Sequence, residues 1–262
     1  METEKQRAQI LNDNLWKILI DFSWPAVIAM FLLGANNVLD GIFVGRFAEE
    51  GSLAGISIAL PPVIALTGFG LLIGTGAGSL LSIAIGAEDT DIRRRLLGNA
   101  NALVLIASAA VMLLGFRFSQ PLLFAMGGRG NELALGDVYY RTLLWGALPW
   151  IYAVALNTLI RAEGKMKTAA VIMAIGLAVN GLSNYVLMVL LKQGIKGAAL
   201  GTNIGMIVQA LICMLYVIHS PLVQRDADSA GDRISVSLLQ RACAIRLDKD
   251  IVSTIIRMGL SS

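Results

Sequence analysis

Charge is something this 262-residue chain has little of: Asp, Glu, Lys and Arg make up 15% of it, against 56% for the hydrophobic residues. There are two cysteines and one histidine. Cys213 lies in an apolar run and Cys243 in the polar segment after it, a layout that supplies neither a disulfide framework nor the closely spaced ligands of a metal site. His219 ends the same apolar run with no evident partner. Phosphate-loop signatures, nucleophile–base sets and paired catalytic carboxylates are all missing, so the sequence carries no enzyme signature and implies no cofactor. Residues 1–13 are polar and of mixed charge, without the short apolar core and small-residue cleavage site of a secretory signal peptide.

What the chain has instead is long uncharged intervals, at 22–39, 51–87, 96–116, 142–160, 168–191 and 197–224. Each is near or above the ~20 residues a helix needs to cross ~30 Å of hydrocarbon. A soluble chain of this length cannot wrap six such helices in polar cover. The expected fold is therefore all-α and integral to a membrane, a bundle of six transmembrane helices over 16–218. Basic residues set its orientation. Lys5, Arg7 and Lys17, then Arg93, Arg94 and Arg95, then Arg161, Lys165 and Lys167, then Arg225, Arg233, Arg241, Arg246 and Lys249 fall on one side. Arg46, then Arg117, Arg129 and Arg141, then Lys192 and Lys196 fall on the other. The first set is much the larger, which places the N-terminal segment 1–15 and the segment after 218 in the cytoplasm. The same bias accounts for the net charge of +3 and leaves no reason to look for a nucleic-acid partner.

Asp40 stands out against this background. An acid inside a membrane helix costs roughly 2.5–3.5 kcal/mol near the helix centre, so such residues face a wet cavity, a partner or an ion path. Asn36 and Asn37 precede it by four and three residues, which predicts one polar stripe. Asn180 and Asn184 share a face of the fifth helix by the same spacing. Thr202, Asn203 and Gln209 enter the sixth, with Thr202 and Gln209 two turns apart on one side. Ordinary interhelical hydrogen bonding would satisfy these amides. Their accumulation with a carboxylate and a hydroxyl on three helices points further, to a binding site for a cation or substrate. Pro25 removes a backbone donor from the first helix and is a candidate hinge or a static kink.

Gly70, Gly74 and Gly78, and again Gly197, Gly201 and Gly205, recur four apart and predict close helix packing. Trp16, Trp24, Tyr139 and Tyr140 fall near predicted helix ends, where interfacial placement is expected. Trp145 and Trp150 read as core packing or as the wall of a cavity.

Taken in order, several segments resemble the multidrug and toxic compound extrusion (MATE) transporters, most closely their DinF-like branch. They are Asn37-Val-Leu-Asp40-Gly-Ile-Phe-Val-Gly45-Arg, Leu53-Ala-Gly-Ile-Ser-Ile-Ala-Leu-Pro61 opening the second helix, and Gly86-Ala-Glu-Asp. Arg161-Ala-Glu-Gly164-Lys-Met-Lys, Asn180-Gly-Leu-Ser-Asn184 and Gly194-Ile-Lys-Gly197-Ala-Ala-Leu-Gly-Thr202 continue the set, which spans about residues 15–218. The resemblance implies two six-helix lobes forming an inverted V, of which this chain is the N-terminal one. It implies a secondary active antiporter of a prokaryotic plasma membrane that exports cationic or amphipathic compounds in exchange for H⁺ or Na⁺. On that pattern Asp40 is the acid that couples ion to drug, Asn180 the amide of the fifth helix and Thr202 the hydroxyl of the sixth. Asn184 departs from the pattern, because DinF-like members usually carry Asp there. Oxygens of Asp40, Asn180, Asn184 and Thr202 are chemically suited to Na⁺, and the ion alone would take a cofactor's place.

Residues 219–250 read as a cytoplasmic inter-lobe linker and 251–262 as the start of a seventh helix, cut short. The expected partners are the bilayer, a small amphipathic substrate, and a missing C-terminal lobe or second copy. Two alternatives stand beside the antiporter. A lipid-linked oligosaccharide flippase of the same superfamily would need a cationic cavity, which the uncharged intervals do not provide. A truncated chain that transports nothing is the other.

Overall fold

The structure, a computed structural model, describes residues 15–87, 89–218 and 247–261. The expectations for the 1–13 segment, for His219, for Cys243 and for most of the linker fall outside these, as do the side chains of Trp16 and Pro25. In chain order the elements are α1 (Leu15–Phe47), α2 (Ser52–Gly86), α3 (Thr90–Ala125), α4 (Gly130–Leu144), α5 (Ala147–Ala162), α6 (Met166–Asn184), α7 (Gly194–Ile218) and α8 (Lys249–Leu260). A π-helical segment, Tyr185–Leu190, continues α6. Among the described residues α2, α3, α6 with its π segment, and α7 are each long and apolar enough to cross a membrane. α4 and α5 qualify as a pair bent by 61°. α1, at 33 residues, reaches about 50 Å at ~1.5 Å per residue.

The fourth span, expected over the uncharged interval 142–160, is a broken one that begins earlier, at Gly130. Pro149 has no N–H to give the carbonyl of Trp145, so the helical ladder fails at that point and the chain restarts as α5. Neighbouring Gly146 makes room for the break. Arg117 and Arg141, expected in an external loop, lie within α3 and α4, and only residues 126–129 connect those helices. Arg141 Nε donates to Asp137 and to buried Ser119, both at 3.0 Å, which compensates its position. The segment Leu53–Pro61 opens the second helix as expected, with Pro61 and Pro62 inside α2. Pro121 lies inside α3 and removes the bond to the Arg117 carbonyl, and the helix kinks at Phe118.

Tyr139 and Tyr140 are core residues rather than interfacial ones, because the bend carries the end of α4 into the bundle. The two tryptophans divide. Trp150 is buried and donates its indole N–H to Thr67 at 3.2 Å, whereas Trp145 is 73% exposed and stands against Phe116.

The core is centred on α2 and α5, with Leu66, Leu143, Leu144, Ile151 and Ile160 completely enclosed. The glycine pattern explains how these helices come together. A Cβ on Gly70 would meet Val154 at 2.7 Å, one on Gly74 would meet Thr158 at 2.8 Å, and one on Gly78 would meet Ala162 at 2.9 Å. The opposite face of α2 takes α8 by the same means: a Cβ on Gly76 would strike the Ile255 carbonyl, and one on Gly259 the Leu72 carbonyl. The start of α8 is tied to α3, where the Asp248 N–H donates to Asn99 at 2.7 Å and Arg95 pairs with the Asp248 carboxylate at 3.5 Å.

Gly74→Ala should destabilise the bundle by about 1–3 kcal/mol, because the α2–α5 contact has no room for a methyl. Gly68→Ala, which meets open space, should be neutral or stabilise by up to about 1 kcal/mol through helix propensity. Reversible unfolding of both variants in mixed micelles measures the contrast.

Candidate functional site

α1 packs chiefly along α6, and α6 along α7. That order brings the polar residues of three helices to one place. The Asp40 carboxylate accepts from Asn36 Nδ2 at 3.3 Å within its own helix and from Asn184 Nδ2 at 2.7 Å across to α6. The Asn184 amide also reaches Asn180 Oδ1 at 3.5 Å. Asn180 donates to the Thr202 hydroxyl at 3.3 Å, and Thr202 donates to the Ala198 carbonyl at 3.1 Å. A continuous polar chain therefore runs from α1 through α6 to α7.

Glycine makes this chain sterically feasible. A Cβ on Gly201 would collide with Asn184 Oδ1, and one on Gly205 would meet Asn180 Cβ at 2.9 Å. The Gly197, Gly201 and Gly205 series thus sets α7 against the two asparagines. Immediately beyond Asn184 the α-helix gives way to the π segment, a form often found beside functional sites.

Of the residues singled out in the sequence, Asp40, Asn36, Asn180, Asn184 and Thr202 are brought together. Asn37 is not. It is one residue on from Asn36, hence turned by about 100° around the axis, and it is exposed. The expected three-residue stripe is a two-residue one, because a spacing of three puts Asn37 at its edge. Pro25 lies within continuous α1, more than ten residues before the carboxylate.

Asn184 is fully buried, yet its Oδ1 has no hydrogen-bond partner among the described residues. An oxygen in that state next to a carboxylate is suited to a proton donor or a cation. No ligating cluster of His, Cys, Asp and Glu exists among the described residues, so any cation would be held by one carboxylate with amide and hydroxyl oxygens. That is the donor set of a hard monovalent ion rather than of a transition metal.

Two features escaped the sequence reading. Buried Tyr139 of α4 lies within electrostatic reach of Asp40, and only the bend of the fourth helix carries it there. Asn203 was visible as a polar residue, but its task was not. Its Nδ2 donates at 2.7 Å to the Thr142 carbonyl freed by the break, and its Oδ1 sits where a Cβ on Gly146 would be. Gly146 and Pro149 together were the available signal.

The MatE family profile matches residues 25–186, a segment that includes Asp40, Asn180 and Asn184. The chain belongs to the MatE family of multidrug and toxic compound extrusion transporters. Membership places it among transporters rather than enzymes. It is 25% identical over 246 residues to the multidrug export protein MepA of Staphylococcus aureus (strain MRSA252), covering 94% of this chain and 51% of that protein. MepA of Staphylococcus saprophyticus is 26% identical over 251 residues, with the same coverages. The fold superposes with a TM-score of 0.80 on an outward-facing multidrug resistance MATE transporter of the MOP superfamily, at 25% identity, over 96% of this chain and 53% of that one. The chain thus spans about half the length of the relatives it matches and has the architecture of one MATE lobe.

A double-mutant cycle of Asp40→Leu with Asn184→Leu should give a coupling of about 1.5–3 kcal/mol while the acceptor is ionised. Acidification should lower it toward the ~0.6 kcal/mol of a neutral interhelical bond. Unfolding at two pH values reads this, and the low value at both would mean that the bond is never to a carboxylate.

Proposed function

We propose that this chain is the ion-coupling half of a secondary active antiporter in the plasma membrane of a prokaryote, with its N-terminus in the cytoplasm, exporting cationic or amphipathic compounds in exchange for H⁺ or Na⁺. The observation that carries this reading is the lone Asp40 carboxylate held by Asn36 and Asn184, with no basic side chain paired to it among the described residues. A structural carboxylate in a membrane is ordinarily neutralised by a cation of the protein itself. Here the neighbours are amides, which donate to a carboxylate and, turned over, accept from a carboxylic acid. The site accommodates either protonation state. Oxygens of Asp40, Asn180, Asn184 and Thr202 would equally surround Na⁺.

Exchange follows from competition. Ion and substrate favour different states of the lobe, so uptake of one drives release of the other through their differential affinities. The names of the MepA relatives, multidrug export proteins, support an amphipathic substrate. Their roughly doubled length supports a C-terminal lobe, or a second copy, as the partner against which this one rocks. With Asn184 in place of the acid usual in the DinF-like branch, proton traffic rests on Asp40 alone.

The test is export of a fluorescent lipophilic cation from liposomes by this chain completed with a C-terminal lobe, under imposed H⁺ or Na⁺ gradients. Asp40→Asn should insert normally and lose gradient-driven export. Full export by that variant at every pH and Na⁺ concentration would sink the coupling role. Across a pH series the unmodified protein should show one apparent titration, and Asn184→Asp should add a second, coupled one. Orientation is tested separately, in a background lacking Cys213 and Cys243. A membrane-impermeant thiol reagent applied outside should label Glu49→Cys and spare Glu163→Cys.

A further inference from the structure

Below the Asp40 cluster the bundle is not filled. A cavity of about 50 Å³ lies between α1, α6 and α7, lined by Asn36, Asn180, Thr202 and Gln209 together with Met173 and Met206. On all three helices the lining runs the same way: from Asp40 back to Asn36, from Asn184 back to Asn180 and Met173, and from Ala198 onward to Thr202 and Gln209. That direction leads to the end of the bundle where Lys165 and Lys167 lie, the side that the basic residues mark as cytoplasmic. Gln209 is seven residues beyond Thr202, about 10 Å along α7.

Gln209 is the decisive residue. It is 9% exposed and makes no hydrogen bond to any described residue, while its Oε1 lies against Gly176, where a Cβ would come within 2.9 Å. Its side chain lines a space wide enough for a guest, which can supply the hydrogen bonds that the amide does not make to the described residues. The lining offers amides, one hydroxyl and two thioethers but no charge, which favours a neutral hydrogen-bonding molecule over an ion. A cavity of about this volume holds one or two waters, each needing two to four polar partners.

We infer that this cavity is a hydrated branch of the Asp40 site, whose water links Asn36, Asn180 and Thr202 to Gln209 and gives a coupling proton a hydrogen-bonded path toward the cytoplasmic end of the lobe. Its use as a proton path rests on the antiport reading; its hydration does not. Beyond Gln209 the branch ends at Met173, whose sulfur accepts a hydrogen bond from Arg161 at 2.7 Å. That residue stands where an opening toward the cytoplasm would have to form.

The test is radiolytic hydroxyl-radical footprinting of the full chain in lipid nanodiscs, in which radicals made from bound water oxidise the adjacent methionines. Met188, 1% exposed against 9% for Met173, is not part of the cavity and serves as the dry reference, and the Gln209 variants separate cavity water from that difference in exposure. Met173 should oxidise on the order of fivefold faster than Met188. Gln209→Leu, close to isosteric and apolar, should bring Met173 down to the Met188 rate, while Gln209→Asn should keep most of the difference. Equal rates for Met173 and Met188 in the unmodified protein would overturn the inference, as would a rate unchanged by Gln209→Leu. Asp40→Asn should leave the labelling in place, so a dry cavity and a failure of Asp40 to couple transport are separate results.

Discussion

Hydrocarbon offers no hydrogen bonds, so every polar group inside a membrane bundle has to be satisfied by the protein or by water brought in with it. The arrangement of this lobe follows from that constraint. Where Pro149 interrupts the fourth span, Asn203 of a neighbouring helix takes up a freed carbonyl. Where Asp40 enters the first, Asn36 and Asn184 converge on it. Where Arg141 lies within a helix, Asp137 and Ser119 meet it. Each polar intrusion fixes the relative position of at least two helices, so the polar network specifies the packing that the uniform apolar surface leaves open.

Glycine supplies the other half of the specification. Apolar side chains gain little from one another in lipid, and close backbone approach is what holds the helices together. α2 is the extreme case, with α5 on the face of Gly70, Gly74 and Gly78 and α8 on the face of Gly76. The same device on α7 serves chemistry as well as packing, since Gly201 and Gly205 create the space that Asn184 and Asn180 occupy.

Much of this was legible in the sequence because membrane helices announce themselves by length and by the absence of charge. A spacing of four also fixes a face, and the pairs Asn36 with Asp40 and Asn180 with Asn184 both meet as that spacing requires. A spacing of three is looser, and Asn37 turns out of the cluster. The fourth span was misjudged for a different reason. Its interruption depends on a backbone donor that Pro149 lacks and on a side chain from a helix fifty residues later, and hydropathy registers neither. The burial of Tyr139 and Tyr140 followed the same hidden bend. The cavity at Gln209 was likewise beyond reach, since a gap is a property of three helices together and of no single one.

The contact between α8 and α2 has a mechanical corollary. Helices separated by interdigitating side chains can slide over one another by small rotamer adjustments. Gly76 and Gly259 remove that lubricating layer and set main chain against main chain, while Asp248 pins the near end of α8 to Asn99 and Arg95. Torque arriving through the segment before α8 would therefore pass undamped into α2 and α3, turning the lobe as a single lever and leaving α8 no freedom to swing by itself.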